Sequence, residues 1–259
     1  MNTSIYLIFL LLTFVLNDEL YPGAHRLILD NENTSLDGQL LSEISSKYAN
    51  INNGENIIYY EKEIHDQLPD YGEAKEYEMH TKEEARKENL VTIIKEGTYI
   101  VSGNLRGQLA IELDKKKEKK YAVTLVLNGV NINSTIAPGI IFYKAYEIDP
   151  TKYEKEGKSI SLSDINNLKF NEAGAKVILA DDSTNTVIGS HVPRCYEYEI
   201  KDDGTVDLFH DEKGDQKKRA KYDGAFYSKI SMVIKGERKG NGKLNIIADN
   251  EGLSAEQHF

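Results

Sequence analysis

Residues 121–134, YAVTLVLNGVNINS, constrain the fold of this chain more than any other stretch. Val123, Leu125 and Leu127 fall on one side of an extended backbone and Thr124 and Val126 on the other, the period of two that a strand requires. Asn128-Gly129 follows, a pair that tolerates positive φ, so the chain turns there without a Cβ clash. Val130 and Ile132 then resume the alternation, with Asn131 and Asn133 pointing the other way. Two short strands about a sharp corner make half a coil, and half a coil cannot bury its apolar side alone. It needs partners of the same kind.

Such partners recur. VTIIKEGTYIVSGNLRGQLAIELD (Val91 to Asp114) reads as three short strands separated by Glu96-Gly97, Gly103-Asn104 and Arg106-Gly107. GIIFYKA (Gly139 to Ala145) is another short apolar strand, and AKVILA (Ala175 to Ala180) leads into a further one ending near Gly189. The last part, Asp223 to Ala255, repeats the scheme as AFYS, ISMVIKG, KLNIIAD and GLSA. Strand groups return at roughly 20 residues or more once two charged insertions, 146–174 and 191–222, are set aside. Within the second insertion, EIKDDGTVDLFHDE predicts a hairpin turning at Asp203-Gly204.

A sandwich, a barrel and a parallel β-helix all use short strands with Gly and Asn corners. A sandwich prefers hairpins at regular spacing. Single Gly or Asn-Gly corners and long excursions at one corner suit a stack of coils better. The expected fold is therefore all-β, a parallel β-helix with charged loop insertions.

The flanks carry different signals. Ile5 to Leu16 is an uncharged apolar run of the length of a signal-peptide core, which predicts a signal peptide over residues 1–17 and a secreted protein. An uncleaved anchor and a buried core helix are the alternatives. Residues 18–89 are polar, with a helix candidate at Leu40 to Tyr48 and a dense charge run from Tyr59 to Asn89, and predict a polar segment or linker. Order is expected to begin at Leu90, giving a domain over 90–259. The net charge of −10 argues against nucleic acid and anionic membrane surfaces as partners. The single Cys195 excludes an internal disulfide. Asn33-Thr34-Ser35 and Asn133-Ser134-Thr135 fit the N-glycosylation acceptor.

With those strand groups in place, the chain resembles the right-handed parallel β-helix carbohydrate-binding domain of clostridial secreted proteins and anaerobic gut fungi. The resemblance is carried by VTIIKEGTYIVSGNLRGQLAIEL, VTLVLNGVNINS, VILADDSTNTVIGS, DGAFYSKISMVIKG and GKLNIIADNEGLSA, in that order from Val91 onward. It implies a secreted, non-catalytic binder of plant cell-wall polysaccharide, either cellulose or pectin-like polygalacturonate, with calcium in the loops. The family domain continues through further coils, so this chain looks truncated near His258-Phe259.

Two sets of residues are candidates for chemistry. Calcium takes several oxygen ligands, and Asp181, Asp182, Asp223 and Asp249 sit at strand corners that stacking would bring together. Asp is also simply a good corner residue, and both readings stand. Sugar binding needs flat aromatic faces, and without Trp the candidates are Tyr143, Tyr222 and Tyr227. Alternation puts Phe226 and Tyr227 on opposite faces, which predicts one core ring and one exposed ring. A core role for each of these aromatics is the competing reading. A pectate-lyase-like activity, with Lys229 and Lys235 near Asp223, and a structural adhesin segment are the alternative functions.

Overall fold

The computed structural model describes residues 20–57, 82–113, 122–146, 173–190, 198–210, 212–214, 222, 224–249 and 251–256. In chain order, the first strands are β1 (His25–Leu29), β2 (Ser35–Leu36), β3 (Gln39–Leu40) and β4 (Ala49–Asn53). After a helical turn, α1 (Lys82–Ala85), come β5 (Asn89–Ile93), β6 (Gly97–Glu112), β7 (Val123–Asn133) and β8 (Ile140–Lys144). Then follow β9 (Ala175–Leu179), β10 (Thr184–Gly189), β11 (Tyr198–Ile200) and β12 (Val206–Leu208). The last are β13 (Gly224–Ser228), β14 (Met232–Gly236), β15 (Lys243–Ala248) and β16 (Glu251–Ala255). Among the described residues, no helix is long and apolar enough to cross a membrane.

These strands stack in parallel as three ladders. The first runs β1, the start of β6, the start of β7, β9 and β14, and sets Leu27 against Val101, Val101 against Leu127 and Leu127 against Leu179. The second runs through the middle of β6, the end of β7, β10 and β15, and aligns Leu105, Ile132, Val187 and Ile246. The third runs β5, the end of β6, β8, β13 and β16, and aligns Val91, Leu109, Ile140, Phe226 and Leu253. From β6 onward each circuit of chain contributes one strand to each ladder, whereas the first circuit, with β1 and β5, adds to the first and third alone. The fold is almost entirely β-stranded and solenoid-like, as the alternation in 121–134 requires.

The interior is filled by one row of inward side chains per strand position. Val123, Leu125, Leu127, Val130 and Ile132 are all buried, and Phe142 and Phe226 lie parallel with centroids 6.4 Å apart. At about 1.5–3 kcal/mol for each fully buried large aliphatic or aromatic side chain, this row is the main favourable term. Polar corners are satisfied locally. Asn185 is wholly buried; its Oδ1 accepts from the backbone N–H of Gly129 and Val130, and its Nδ2 donates to Ser183 Oγ and the Lys243 carbonyl. Buried Glu88 accepts from Ser134 Oγ and from the N–H and Oγ1 of Thr135.

Three expectations about the backbone change. Residues 97–112 form one bent strand instead of two, because Gly103 and Gly107 bend the backbone at φ 93° and 134° without ending the strand, although the register with β7 shifts between Val101 and Gly103 and the partner changes to β5 at Gly107. A Cβ on Gly107 would stand 1.9 Å from the Asn89 carbonyl oxygen, so only glycine fits that bend. Order begins well before Leu90: β1 pairs with β6, and antiparallel β2 and β4 close the outer edges of β1 and β5. Where a helix was expected over Leu40 to Tyr48, Leu40 ends β3 and turns and bends follow, with Leu41 packed into the core. The hairpin forms as anticipated, β11 antiparallel to β12 with Gly204 at φ 81°.

The outward faces of the ladders differ. On the first, Ile100, Val126, Ile178 and Ala180 are covered by Tyr21 and Ala24. On the third, Ala110, Ile141 and Tyr227 are covered by Ile57, Ala85, Ile136, Ala137 and Tyr222. Thus β13 is buried on both sides, and Phe226 and Tyr227 are both core, in place of one core ring and one exposed ring. Among the described residues, the outward side of the second ladder carries no such cover: Asn104, Arg106, Asn131, Asn133, Asn245 and Ile247 are exposed.

Candidate functional site

The aromatic candidates come together outside the third ladder. Strand β8 places Tyr143 there and β13 places Tyr227, with Tyr222 preceding β13. Tyr143 and Tyr222 meet edge to face at 6.1 Å, and Tyr222 and Tyr227 at 5.2 Å. Lys229 Nζ stands 4.4 Å from the Tyr143 ring centroid and 5.2 Å from that of Tyr222, close enough for cation–π attraction to both. Lys144 pairs with Glu112, which holds its ammonium above the ordinary lysine range, and Tyr227 donates its hydroxyl to Glu256. Tyr222 and Tyr227 are 2 % and 0 % exposed, so both rings are committed to packing. Tyr143 is half-buried and is the one of the three with ring surface at the protein boundary. The sequence marked the residues of this cluster; Lys229 is the member whose place over the rings needed the structure.

The carboxylate candidates divide. Asp181 and Asp182 follow β9 at the corner between the first and second ladders. Both oxygens of Asp181 accept from the Lys239 N–H. Asp182 accepts from Lys239 Nζ at 2.6 Å and from Asn241 Nδ2 at 2.6 Å. That lysine contact, and then the asparagine one, hold the Asp182 carboxyl below the usual carboxylate range. Glu237 completes the corner, accepting from Tyr21 Oη and the Asp181 N–H. All four Asp181 and Asp182 oxygens thus face nitrogen donors, the opposite of an open calcium shell. Asp249 lies one corner on and accepts from Ser190 Oγ at 3.2 Å. Asp223 lies outside the described residues. Among those described, no group of three or more His, Cys, Asp or Glu is placed to hold a metal ion.

Lysines 229 and 235, the cations considered for proton abstraction, separate: Lys229 lies over the tyrosines outside the third ladder, and Lys235 is on the first. Half-buried Lys176 is held below the ordinary lysine range by its burial and then by Lys235.

Outside the second ladder a different surface forms. Register places Asn104, Asn131, Thr186 and Asn245 in one row across four coils, and Arg106, Asn133, Ile188 and Ile247 in the next. Its signal in the sequence was Asn131 and Asn133, which point away from the core side of their strand. It showed no link between them and residues more than a hundred positions later.

A family model described as "Carbohydrate-binding domain-containing protein" matches residues 87–149, the stretch that builds β5 to β8. A carbohydrate-binding domain is therefore present over part of the chain, and the matched module is a non-catalytic one. No curated protein and no solved structure matches the chain.

Proposed function

We propose that this protein is a secreted, non-catalytic binder of plant cell-wall polysaccharide, built as a right-handed parallel β-helix. The observation that carries the reading is the match over 87–149, which falls on the central coils of all three ladders. Parallel stacking supports the β-helix, and crossovers between parallel strands in one sheet run right-handed in nearly all proteins. The apolar Ile5–Leu16 run supports secretion. Cellulose and polygalacturonate are the two ligands proposed.

The test is retention of the secreted chain on insoluble cellulose and on immobilised polygalacturonate, each with calcium and with chelator. Retention on either matrix supports the reading, and retention on neither by a folded sample overturns it. Calcium dependence on the acidic matrix alone would mean that the cation bridges two anionic partners. Calcium at Asp181 and Asp182 would have to displace Lys239 and Asn241. Chelation should then lower the melting temperature, and an unchanged value rejects calcium there.

A further inference from the structure

We propose that the outward face of the second ladder is the binding surface, and that a neutral, linear, hydroxyl-bearing glycan lies along it parallel to the stacking axis. This rests on the polysaccharide-binding reading above and assigns it a place and a ligand class.

Coverage is the first argument. Tyr21 and Ala24 cover Ile100, Val126 and Ile178 on the first ladder, where Ile28 stays 41 % exposed, and Ile57, Ala85, Ile136, Ala137 and Tyr222 cover the third, whereas the second shows its outward row to solvent among the described residues. The second argument is unspent hydrogen-bonding capacity. Each asparagine amide offers two donors and an acceptor, and inward-facing Asn185 spends both atoms within the protein. The side chains of Asn104, Asn131, Asn133, Thr186 and Asn245 bond to no other described residue, and the four asparagines among them are exposed.

The third argument is periodicity. Parallel strands lie about 4.8 Å apart, so the Asn104–Asn131–Thr186–Asn245 row repeats an amide or hydroxyl at that interval along the stack. A ligand that repeats its own hydroxyls at a comparable interval meets every rung, whereas a peptide of varied side chains meets only some. Beside that row, Ile188 and Ile247 stand on adjacent coils, and Ile247 is 57 % exposed. An apolar strip next to a polar ladder suits a pyranose, whose C–H face is apolar and whose rim carries hydroxyls.

Charge selects the class of glycan. The two rows hold no carboxylate, although the chain carries a net −10. Arg106 is their one cation and stands on a single rung. A polyanion repeats its charge at every unit and calls for repeated cations. Here the amides repeat and the cation does not, which points to a neutral chain. Asn104, Arg106, Asn131 and Asn133 also fall within the segment matching the carbohydrate-binding domain.

The experiment measures depletion isotherms on insoluble cellulose and retention on immobilised polygalacturonate for four proteins: wild type, N131A/N245A, the first-ladder control T98A/T124A, and Y143A. Thermal melting establishes folding for each. Loss of two hydrogen-bonding amides is expected to weaken cellulose binding on the order of tenfold or more in N131A/N245A and to leave T98A/T124A unchanged. Thr186→Arg, which fills the middle of the row with a bulky cation, is the second variant should the double variant melt early. It is expected to abolish retention. Wild-type affinity in both N131A/N245A and Thr186→Arg overturns this surface while leaving the polysaccharide reading intact. Loss of binding in Y143A alone assigns the site to the tyrosine cluster and equally overturns it. Wild-type retention on polygalacturonate and not on cellulose overturns the neutral ligand. Binding of folded wild type to neither matrix overturns the functional reading and this inference together.

Discussion

Asn185→Ala is expected to be among the costliest single substitutions outside the apolar core. The side chain is fully buried at the corner where β7 turns at Gly129, and it joins three coils. Its oxygen takes the N–H of Gly129 at 2.9 Å and of Val130 at 3.1 Å; its nitrogen reaches Ser183 Oγ at 2.9 Å and the Lys243 carbonyl at 3.1 Å. After truncation Ser183 Oγ keeps its bonds to the Ala180 and Leu127 carbonyls. Gly129 is exposed and turns to water. Val130 N–H is buried and has no substitute, a penalty of about 1–3 kcal/mol, and the bonds at Gly129 and Lys243 contribute about 0.5–1.5 kcal/mol each. The sum is about 2–6 kcal/mol, centred on about 4 kcal/mol. For a domain of this size that lowers Tm by about 10 °C. The assay is urea denaturation followed by far-UV circular dichroism, with Asn131→Ala beside it. Asn131 points outward and is expected to change stability by about 0.5 kcal/mol or less. Asn185→Asp keeps the two acceptor contacts but loses both donor contacts and buries a charge, so it should be as damaging as alanine. An Asn185→Ala loss below about 1 kcal/mol, or equal to that of Asn131→Ala, would refute the corner argument.

Gly107→Ala forces a Cβ into the Asn89 carbonyl at φ 134° and should cost about 3 kcal/mol or more, whereas Gly129→Ala, at φ 78° with open space around it, should cost only about 1–2 kcal/mol for its left-handed backbone; paired denaturation curves check the difference. Glu88→Ala leaves Ser134 and the Thr135 N–H without their acceptor and should cost about 2–3 kcal/mol, with Glu88→Gln recovering part of it. Asp182, whose folded pKa lies below its ordinary 3.8, adds stability that is complete above that value and is lost as pH falls through the folded pKa. In Asp182→Asn that acid-limb component should be missing from a melting-temperature profile taken between neutral and strongly acid pH.

The inward half of the strands after Leu90 was readable in the chain. Val123, Leu125 and Leu127 alternate, the Asn128-Gly129 corner resets the phase, and Val130 and Ile132 continue inward, as found. Glycine marked the corners, though at Gly103 and Gly107 it bends a strand that the sequence reading had divided. Strand β1 was not seen, because five residues between polar stretches give too few alternations to stand out from linker. Its role depends on β6, whose paired residues lie more than seventy positions later.

What the sequence by itself determined was the local conformation, a period of two and left-handed corners; the two long excursions, expected at one corner, leave at two, one between β8 and β9 and one between β10 and β13. The period and the corners follow from backbone sterics and from which side of a strand each residue occupies, both set by nearest neighbours. Only the tertiary structure decided which outward faces meet water. Tyr21 and Ala24 cover Val126, and Ile57 and Ala85 share a buried cluster with Ile141, so the rings of Tyr222 and Tyr227 became packing and Asn104, Asn131 and Asn245 stayed open. Burial of an outward face depends on what the rest of the chain lays over it, and no local period encodes that.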